Sequence, residues 1–125
     1  PVFRNLLLGG KRCVVPVQGY YEWKKEGARK QPYFVCRKDG GLILLAGLYD
    51  VWQTPDGAEE KTFTILTKDA CRCLSSLHDR MPVVLKTIED WLQPVSTDAD
   101  GNGHHALVRV LLGNRVPDEE DELHK

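Results

Sequence analysis

Residues 42–50 read LILLAGLYD, an apolar run of strand length without the alternation of polar and apolar residues that marks a half-exposed strand. A run of this kind predicts a strand that is covered on both sides. Further runs rich in β-branched and aromatic residues also have the length of strands. They are RCVVPV at 12–17, YFVCRK at 33–38 and TFTILT at 62–67.

Turn residues separate these runs. DGG at 39–41 predicts a hairpin, and TPDG at 54–57 predicts a turn before the last run. Helix signals are fewer: residues 69–77 place apolar side chains at spacings of three and four, and TIEDWL at 87–92 begins like a capping box. The pattern favours the α+β class with mostly antiparallel strands.

The composition is that of one globular domain. The chain has 125 residues, of which 42% are hydrophobic and 28% charged, with 17 Lys and Arg against 18 Asp and Glu. This length allows one hydrophobic core, and the near-neutral charge indicates no partner. Basic residues concentrate in the first third, whereas residues 117–122 are a proline followed by five acids. This asymmetry would allow a basic half to face a polyanion.

No run approaches the roughly 18 apolar residues of a membrane helix, so we expect an intracellular protein without membrane contact. The four cysteines are not spaced like those of a small disulfide scaffold, and a domain of this size does not need such staples. We therefore expect reduced thiols with structural roles. The cysteines are Cys13, Cys36, Cys71 and Cys73.

The stretch LHDRMPVVL at 77–85 concentrates polar chemistry between apolar flanks. His78 and Asp79 could begin a metal site, but that site needs further ligands, and the other histidines fall in the loop at 96–105 or at the C-terminal end. We therefore predict no metal. His78 can instead move a proton near neutral pH, and Arg80 can hold a phosphate. A purely structural histidine explains the residues equally well.

A second polar stretch is GYYEWKK at 19–25. Glu22 lies between Tyr21 and Trp23, where partial desolvation would suit a general acid or base. A solvated turn glutamate is the alternative. The aromatic residues interleaved with lysines form the mixture that binds single-stranded nucleic acid. Core aromatic residues beside a solvated loop would give the same composition.

Six blocks of the sequence occur in the order and spacing of one known family. The blocks are KRCVVPVQGYYEWKK, KQPYFV, AGLYDVW, TFTILTKDA, LHDRMPVVL and EDWL. With these blocks the chain resembles the SRAP family, which comprises the SOS-response-associated peptidases of bacteria and the abasic site processing protein of eukaryotes. The resemblance is close over residues 2–95 and looser beyond them. It implies a barrel-like bent sheet with a few short flanking helices, a partial SRAP domain over residues 1–116 and an acidic tail over 117–125.

The resemblance also implies a function. Family members bind single-stranded DNA and crosslink to the aldehyde of an abasic site, in the SOS or DNA damage response and in DNA repair. An N-terminal cysteine makes the crosslink, a thiazolidine, and autopeptidase (hydrolase) and lyase-like chemistry are associated with the family. By position, Glu22 and His78 match its catalytic residues, and Arg4, Trp23 and Arg80 match residues on the DNA side. Glu22 and His78 are far apart in sequence, and we predict that strand pairing brings them together. We expect no cofactor, a monomer, and a location in the nucleus of a eukaryote or the cytoplasm or nucleoid of a bacterium.

The chain departs from the family at its start. A full member begins Met-Cys-Gly-Arg and carries an Asn-Ala-Arg-x-Glu block, whereas this chain starts at Pro1 and Cys13 matches a packing position. We therefore expect a domain incomplete at its N-terminus that keeps Glu22, His78, Arg80 and some affinity for single-stranded DNA but forms no thiazolidine, which leaves its standing as an enzyme open. The alternatives are a non-covalent single-stranded DNA binding module and, more weakly, a metal-dependent hydrolase that uses His78 and Asp79.

Overall fold

The computed structural model describes residues 2–93 and 123–124. Its elements in chain order are α1 (Val2–Leu8), β1 (Arg12–Val17), β2 (Gly19–Glu26), β3 (Arg29–Arg37), β4 (Ile43–Gln53), β5 (Glu59–Ile65), β6 (Thr67–Asp69), β7 (Arg80–Pro82), α2 (Ile88–Leu92) and β8 (Leu123–His124). The strands form three sheets, with the orders β1-β4-β5, β2-β3-β8 and β6-β7.

All strand pairs are antiparallel, and the helices are short, which confirms the predicted α+β class. A barrel-like bent sheet was predicted. In the part of the chain that the structure describes, the strands form three separate, open sheets. The boundary predicted between residues 116 and 117 and the loop predicted at 96–105 lie outside the described residues.

The run at 42–50 forms the start of the central strand β4, which pairs with β1 on one side and β5 on the other. Its side chains at Ile43, Leu45, Ala46 and Leu48 are buried, as the lack of alternation predicted. Gly47 permits the close approach of β1, because a Cβ atom there would lie 2.8 Å from the Cys13 sulfur.

Two groups of buried side chains form the interior. The first group consists of Ala46, Leu48, Val83, Leu85 and Trp91, with Leu6 and Leu7 of α1 packed against it. The second group consists of Val35, Leu74, Leu77 and Met81, with Tyr20 and Tyr33 packed against it. The second group joins the β2–β3 hairpin to the segment at 71–79 and therefore positions the candidate site.

Helix α2 forms where TIEDWL predicted a helix. Thr87 donates its hydroxyl to the Asp90 carboxylate at 2.6 Å, so the capping-box residues contact each other through their side chains. Trp91 is fully buried and donates its indole N–H to the Cys13 carbonyl at 2.9 Å. The guanidinium of Arg12 lies 5.6 Å from the centre of the Trp91 ring, within the range of a cation–π contact.

Two segments differ in strand content from the sequence prediction. GYYEWKK, for which a solvated turn at Glu22 was the alternative interpretation, lies within strand β2. The run at 62–67 is interrupted at Leu66 between β5 and β6. The Leu66 amide bonds to the Ala46 carbonyl at 2.9 Å, and its own carbonyl accepts the Val83 amide at 2.8 Å. Leu66 therefore connects the first sheet to the segment after β7.

The helix predicted at 69–77 is wrong, because the segment folds as consecutive turns. Apolar spacing was still informative there, since Leu74 and Leu77 are buried. The expectation of four reduced thiols is also wrong for this segment: Cys71 and Cys73 form a disulfide. On a helix, side chains two residues apart diverge, but the turns bring these two together. Among the described residues, no helix is long and apolar enough to cross a membrane.

Candidate functional site

One end of the β2–β3 hairpin and the turns after β6 enclose an open groove of about 720 Å³. The residues that line it have carboxylate, imidazole, indole and ammonium side chains among them. The residues that line it are Glu22, Trp23, Lys24, Lys25, Lys30, Ser76, Leu77, His78 and Asp79. Three residues predicted from the sequence, Glu22, Trp23 and His78, therefore lie in one site.

Glu22 is placed by strand β2, in which successive side chains alternate between the two faces. Its side chain is 23% exposed, and its Oε1 lies 3.9 Å from Nε2 of His78. The same oxygen accepts the backbone amide of Trp23 at 3.3 Å. The Glu22–His78 distance exceeds that of a direct hydrogen bond, yet both groups can reach one atom of a ligand between them.

His78 follows the turns at 71–77 and lies between the buried side chains of Leu77 and Met81. Its Nδ1 accepts the backbone amide of Arg80 at 3.1 Å. The Asp79 carboxylate also lies 3.1 Å from Nδ1, a contact that needs a proton on that nitrogen. The two contacts exclude each other in a neutral ring. Because the Asp79 side chain is 90% exposed and therefore screened, we assign the neutral ring a proton on Nε2, facing Glu22.

Tyr20 lies next to the site without lining the groove, and sequence reasoning treated it only as an aromatic residue. It lies two residues before Glu22 on the same face of β2, and it packs against the second group of buried side chains. Burial and the nearby Glu22 carboxylate raise the pKa of Tyr20 to about 12, so its phenol stays neutral. The spacing of two residues on a strand was the signal that could have identified it.

The rim of the groove is basic and aromatic. Lys25 and Lys30 are direct cross-strand partners, an arrangement of like charges that destabilises a sheet unless an anion compensates. Trp23 is 52% exposed, and its ring centre lies 6.4 Å from that of Tyr21. An anionic ligand that carries flat rings would match this rim.

The two predicted arginines lie elsewhere. The guanidinium of Arg80 donates to the Asp69 carboxylate at 2.5 Å and to the Thr67 carbonyl at 2.8 Å, across the β6–β7 pair. Arg80 is not among the lining residues, although its backbone amide contacts His78. Arg4 lies in α1, which packs against β4, and it does not line the groove either.

None of the cysteines lines the groove. Cys71 and Cys73 are bonded to each other, and Cys13 and Cys36 are free thiols in strands β1 and β3. Burial raises the pKa of the Cys13 thiol, in keeping with the packing position that the sequence indicated. In the described part of the chain no group of three or more His, Cys, Asp or Glu side chains could hold a metal ion.

A family model described as SOS response associated peptidase (SRAP) matches residues 1–116. The chain therefore belongs to the SRAP family.

Curated relatives come from bacteria and eukaryotes. The chain is 40% identical over 103 residues to the abasic site processing protein YoqW of Bacillus subtilis, covering 80% of this chain and 46% of that protein. It is 42% identical over 102 residues to the abasic site processing protein YMR114C of Saccharomyces cerevisiae, covering 81% of this chain and 27% of that protein. It is 38% identical over 112 residues to the abasic site processing protein HMCES of Gallus gallus, covering 72% and 33%. The chain thus spans about half or less of these relatives.

Solved structures support the fold. A protein from Bacteroides thetaiotaomicron has a TM-score of 0.75 and 36% sequence identity, and the match covers 89% of this chain and 47% of that one. A protein from Bordetella bronchiseptica has a TM-score of 0.74 and 26% identity, with 98% and 56% covered. The fold of this chain is therefore shared with solved structures.

Proposed function

We propose that this chain binds single-stranded DNA at abasic sites and that Glu22 and His78 transfer protons at the abasic sugar. The observation that carries the proposal is the 3.9 Å approach of Glu22 to His78 in a groove with a basic, aromatic rim. The printed names of the curated relatives, abasic site processing proteins, support the class of ligand.

The rim supports the proposed preference for single strands. The ammonium groups of Lys24, Lys25 and Lys30 would face phosphates, and the half-exposed indole of Trp23 would stack on a base. Bases in a duplex are already stacked on each other, so Trp23 requires an unpaired neighbour of the abasic site. One chain supplies the whole groove, and we propose that a monomer binds the DNA.

The Glu22–His78 pair suits the opening of the abasic sugar. The closed hemiacetal opens to the aldehyde when its hydroxyl loses a proton and its ring oxygen gains one. An ionised Glu22 carboxylate is an acceptor, and Nε2–H of a neutral His78 is a donor. The two side chains thus offer both functions at one place, and the Glu22 carboxylate helps to keep the nearby Tyr20 phenol neutral.

The covalent step is not part of the proposal. A thiazolidine needs a thiol and an α-amino group on the same residue, and none of Cys13, Cys36, Cys71 and Cys73 lines the groove. Mixing the chain with abasic single-stranded DNA should give binding in fluorescence anisotropy. An unchanged anisotropy would contradict the proposal.

The proton-transfer role is tested with methoxyamine, a small amine that traps the opened aldehyde as an oxime. The chain should accelerate trapping on abasic single-stranded DNA by about a hundredfold, a typical contribution of general acid–base groups. Glu22→Gln should lose most of the acceleration and keep its affinity for DNA. Glu60→Gln, a matched change at an exposed position of β5, should behave like the parent chain. Equal trapping rates for the parent chain and Glu22→Gln would overturn the role.

A further inference from the structure

We propose that Cys71 and Cys73 form a thiol–disulfide exchange site that controls the position of His78, with a dithiol reductant as the reaction partner. The inference rests on the proposed function, because it assigns a control to the same groove. Its structural basis is the location of the disulfide in the segment of turns that leads to His78.

Backbone hydrogen bonds connect the disulfide to His78 in two steps. The Cys71 carbonyl accepts the amides of Leu74 at 3.0 Å and Ser75 at 2.8 Å. The Leu74 carbonyl accepts the amides of Leu77 at 2.8 Å and His78 at 3.0 Å. The segment has no continuous helical or sheet ladder, so these bonds, together with the packing of Leu74 and Leu77, hold the imidazole beside Glu22.

The disulfide stabilises the turn conformation on which these bonds depend. The Cα atoms of Cys71 and Cys73 lie 5.4 Å apart, within the range of ordinary disulfides. Two residues of extended chain span roughly 7 Å, so the bond disfavours an extended conformation at Arg72. It also keeps the Cys71 amide against the Met81 sulfur at 3.4 Å, next to the buried side chains that flank His78.

The bond is open to exchange. Cys71 and Cys73 are both partly exposed residues at the edge of the second group of buried side chains, where a small dithiol can reach the bond. Proteins that act on cellular DNA work where thiols are kept reduced, and disulfides there are usually transient and redox-sensing. Cys13 and Cys36 differ, because strand pairing in β1 and β3 holds their backbones independently of any sulfur chemistry.

Exchange follows the ordinary two-step reaction. A thiolate of the reductant attacks one sulfur, the Cys71–Cys73 bond breaks, and the released thiolate takes up a proton. The second thiol of the reductant then attacks the mixed disulfide and leaves both cysteines as thiols, while the reductant becomes a disulfide. Two electrons pass to the chain, and no other oxidant or reductant is needed.

Hydrogen–deuterium exchange of the oxidised chain and of the chain reduced with dithiothreitol tests the proposal without DNA. Reduction should add two maleimide-reactive thiols in the peptide that contains Cys71 and Cys73, and amides at 74–78 should exchange about tenfold faster. After removal of the reductant, methoxyamine trapping on abasic DNA should fall about tenfold, because His78 no longer faces Glu22. An amide hydrogen exchange rate at 74–78 that does not respond to reduction would overturn the proposal. Full maleimide labelling of Cys71 and Cys73 before the reductant is added would also overturn it.

Variants separate this site from the other cysteines. The double variant Cys71→Ser, Cys73→Ser should show the fast exchange of the reduced chain and no response to dithiothreitol. Cys36→Ser should keep the response, and its loss there would contradict the assignment. If the double variant does not fold, the comparison of oxidised and reduced parent chain still decides the question. A chain that binds no abasic DNA but keeps reductant-dependent exchange supports the exchange site and overturns only the proposed function.

Discussion

Arg80 contributes to the groove through its backbone, while its guanidinium serves a different purpose. The amide donates to Nδ1 of His78 and fixes the ring, whereas the guanidinium bonds to Asp69 and Thr67 on the neighbouring strand. The sequence placed Arg80 on the DNA side, and that role stays a prediction. The geometry assigns the side chain a structural contact that a DNA phosphate would have to displace.

Replacing Arg80 by alanine separates the two roles. Since the side chain is half exposed, loss of its hydrogen bonds should lower the free energy of unfolding by on the order of 1 kcal/mol. The His78 contact should survive, because a backbone amide makes it. Urea denaturation measures the first effect. An unchanged stability with a weaker dependence of DNA affinity on salt would instead support the phosphate contact.

Tyr20 predicts how the stability of the domain responds to alkali. Burial and the Glu22 carboxylate raise the pKa of the phenol from 10.0 to about 12. The folded state thus holds this proton more tightly than the unfolded chain. The stabilisation is fully present below pH 10 and is lost as the pH rises towards about 12. Between these pH values, the melting temperature should fall more steeply with rising pH for the parent chain than for Tyr20→Phe. Parallel curves of melting temperature against pH would contradict this prediction.

At the scale of elements, the segment at 71–79 shows what the sequence could not predict. Spacings of three and four correctly identified its buried leucines, since a series of turns and a helix both return the chain to the same side at that interval. A disulfide between residues two apart fits the turns and not a helix, and periodicity carries no information about it. The same error made Cys71 and Cys73 look like divergent structural thiols.

The contact between Glu22 and His78 was predicted, but its cause is different from the one expected. Strand pairing was the mechanism that the sequence allowed, and β2 indeed carries Glu22. His78 lies outside the sheets and is brought to β2 by packing, through Leu77 and the buried side chains around Val35. Such packing depends on side chains distant in sequence, which local patterns do not reveal.

The close approach of β1 and β4 leaves no room for a side chain at Gly47, the glycine of the central strand. A Cβ atom would lie 2.8 Å from the Cys13 sulfur and 3.2 Å from the Thr64 carbonyl. Gly47→Ala should lower the free energy of unfolding by about 1–3 kcal/mol through overpacking, measured by urea denaturation. Adding Cys13→Ala should recover part of the loss by removing the nearest atom. An alanine variant as stable as the parent chain would show that the strands can separate without cost.

At the scale of the whole molecule, a nearly neutral chain presents a local concentration of positive charge. The formal net charge is −1, yet three lysines border one groove. If these lysines contact phosphates of single-stranded DNA, the affinity should fall as the salt concentration rises. A plot of the logarithm of the affinity against the logarithm of the salt concentration should have a slope of about −2. Anisotropy titrations at several salt concentrations measure it.

Two charge variants test whether the groove lysines cause this salt dependence. Lys25→Ala should make the slope less negative by about 0.7, the contribution of one phosphate contact in a single strand. Lys61→Ala removes an exposed lysine on β5 outside the groove and should leave the slope unchanged. Equal slopes for the parent chain and Lys25→Ala would show that the DNA follows another surface.

The molecule as a whole was predictable because its main strands carry local signals, such as the apolar run of β4 and the turn residues beside it. Of the predicted site residues, Glu22, Trp23 and His78 lie in the groove, whereas Arg4 and Arg80 do not line it. Arg4 was assigned from the family resemblance, and Arg80 both from that resemblance and from its ability to hold a phosphate. Only the structure shows that the Arg80 guanidinium donates to the Asp69 carboxylate.

The central claim is that Glu22 and His78 act as one proton-transfer pair on abasic DNA. A double-mutant cycle on methoxyamine trapping tests it most directly, with Glu22→Gln, His78→Gln and their combination measured at saturating chain on the same abasic strand. The account predicts that each single variant loses most of the acceleration and that the double variant is no slower than either, with DNA affinity retained throughout. Two small, independent losses that add in the double variant would contradict the account.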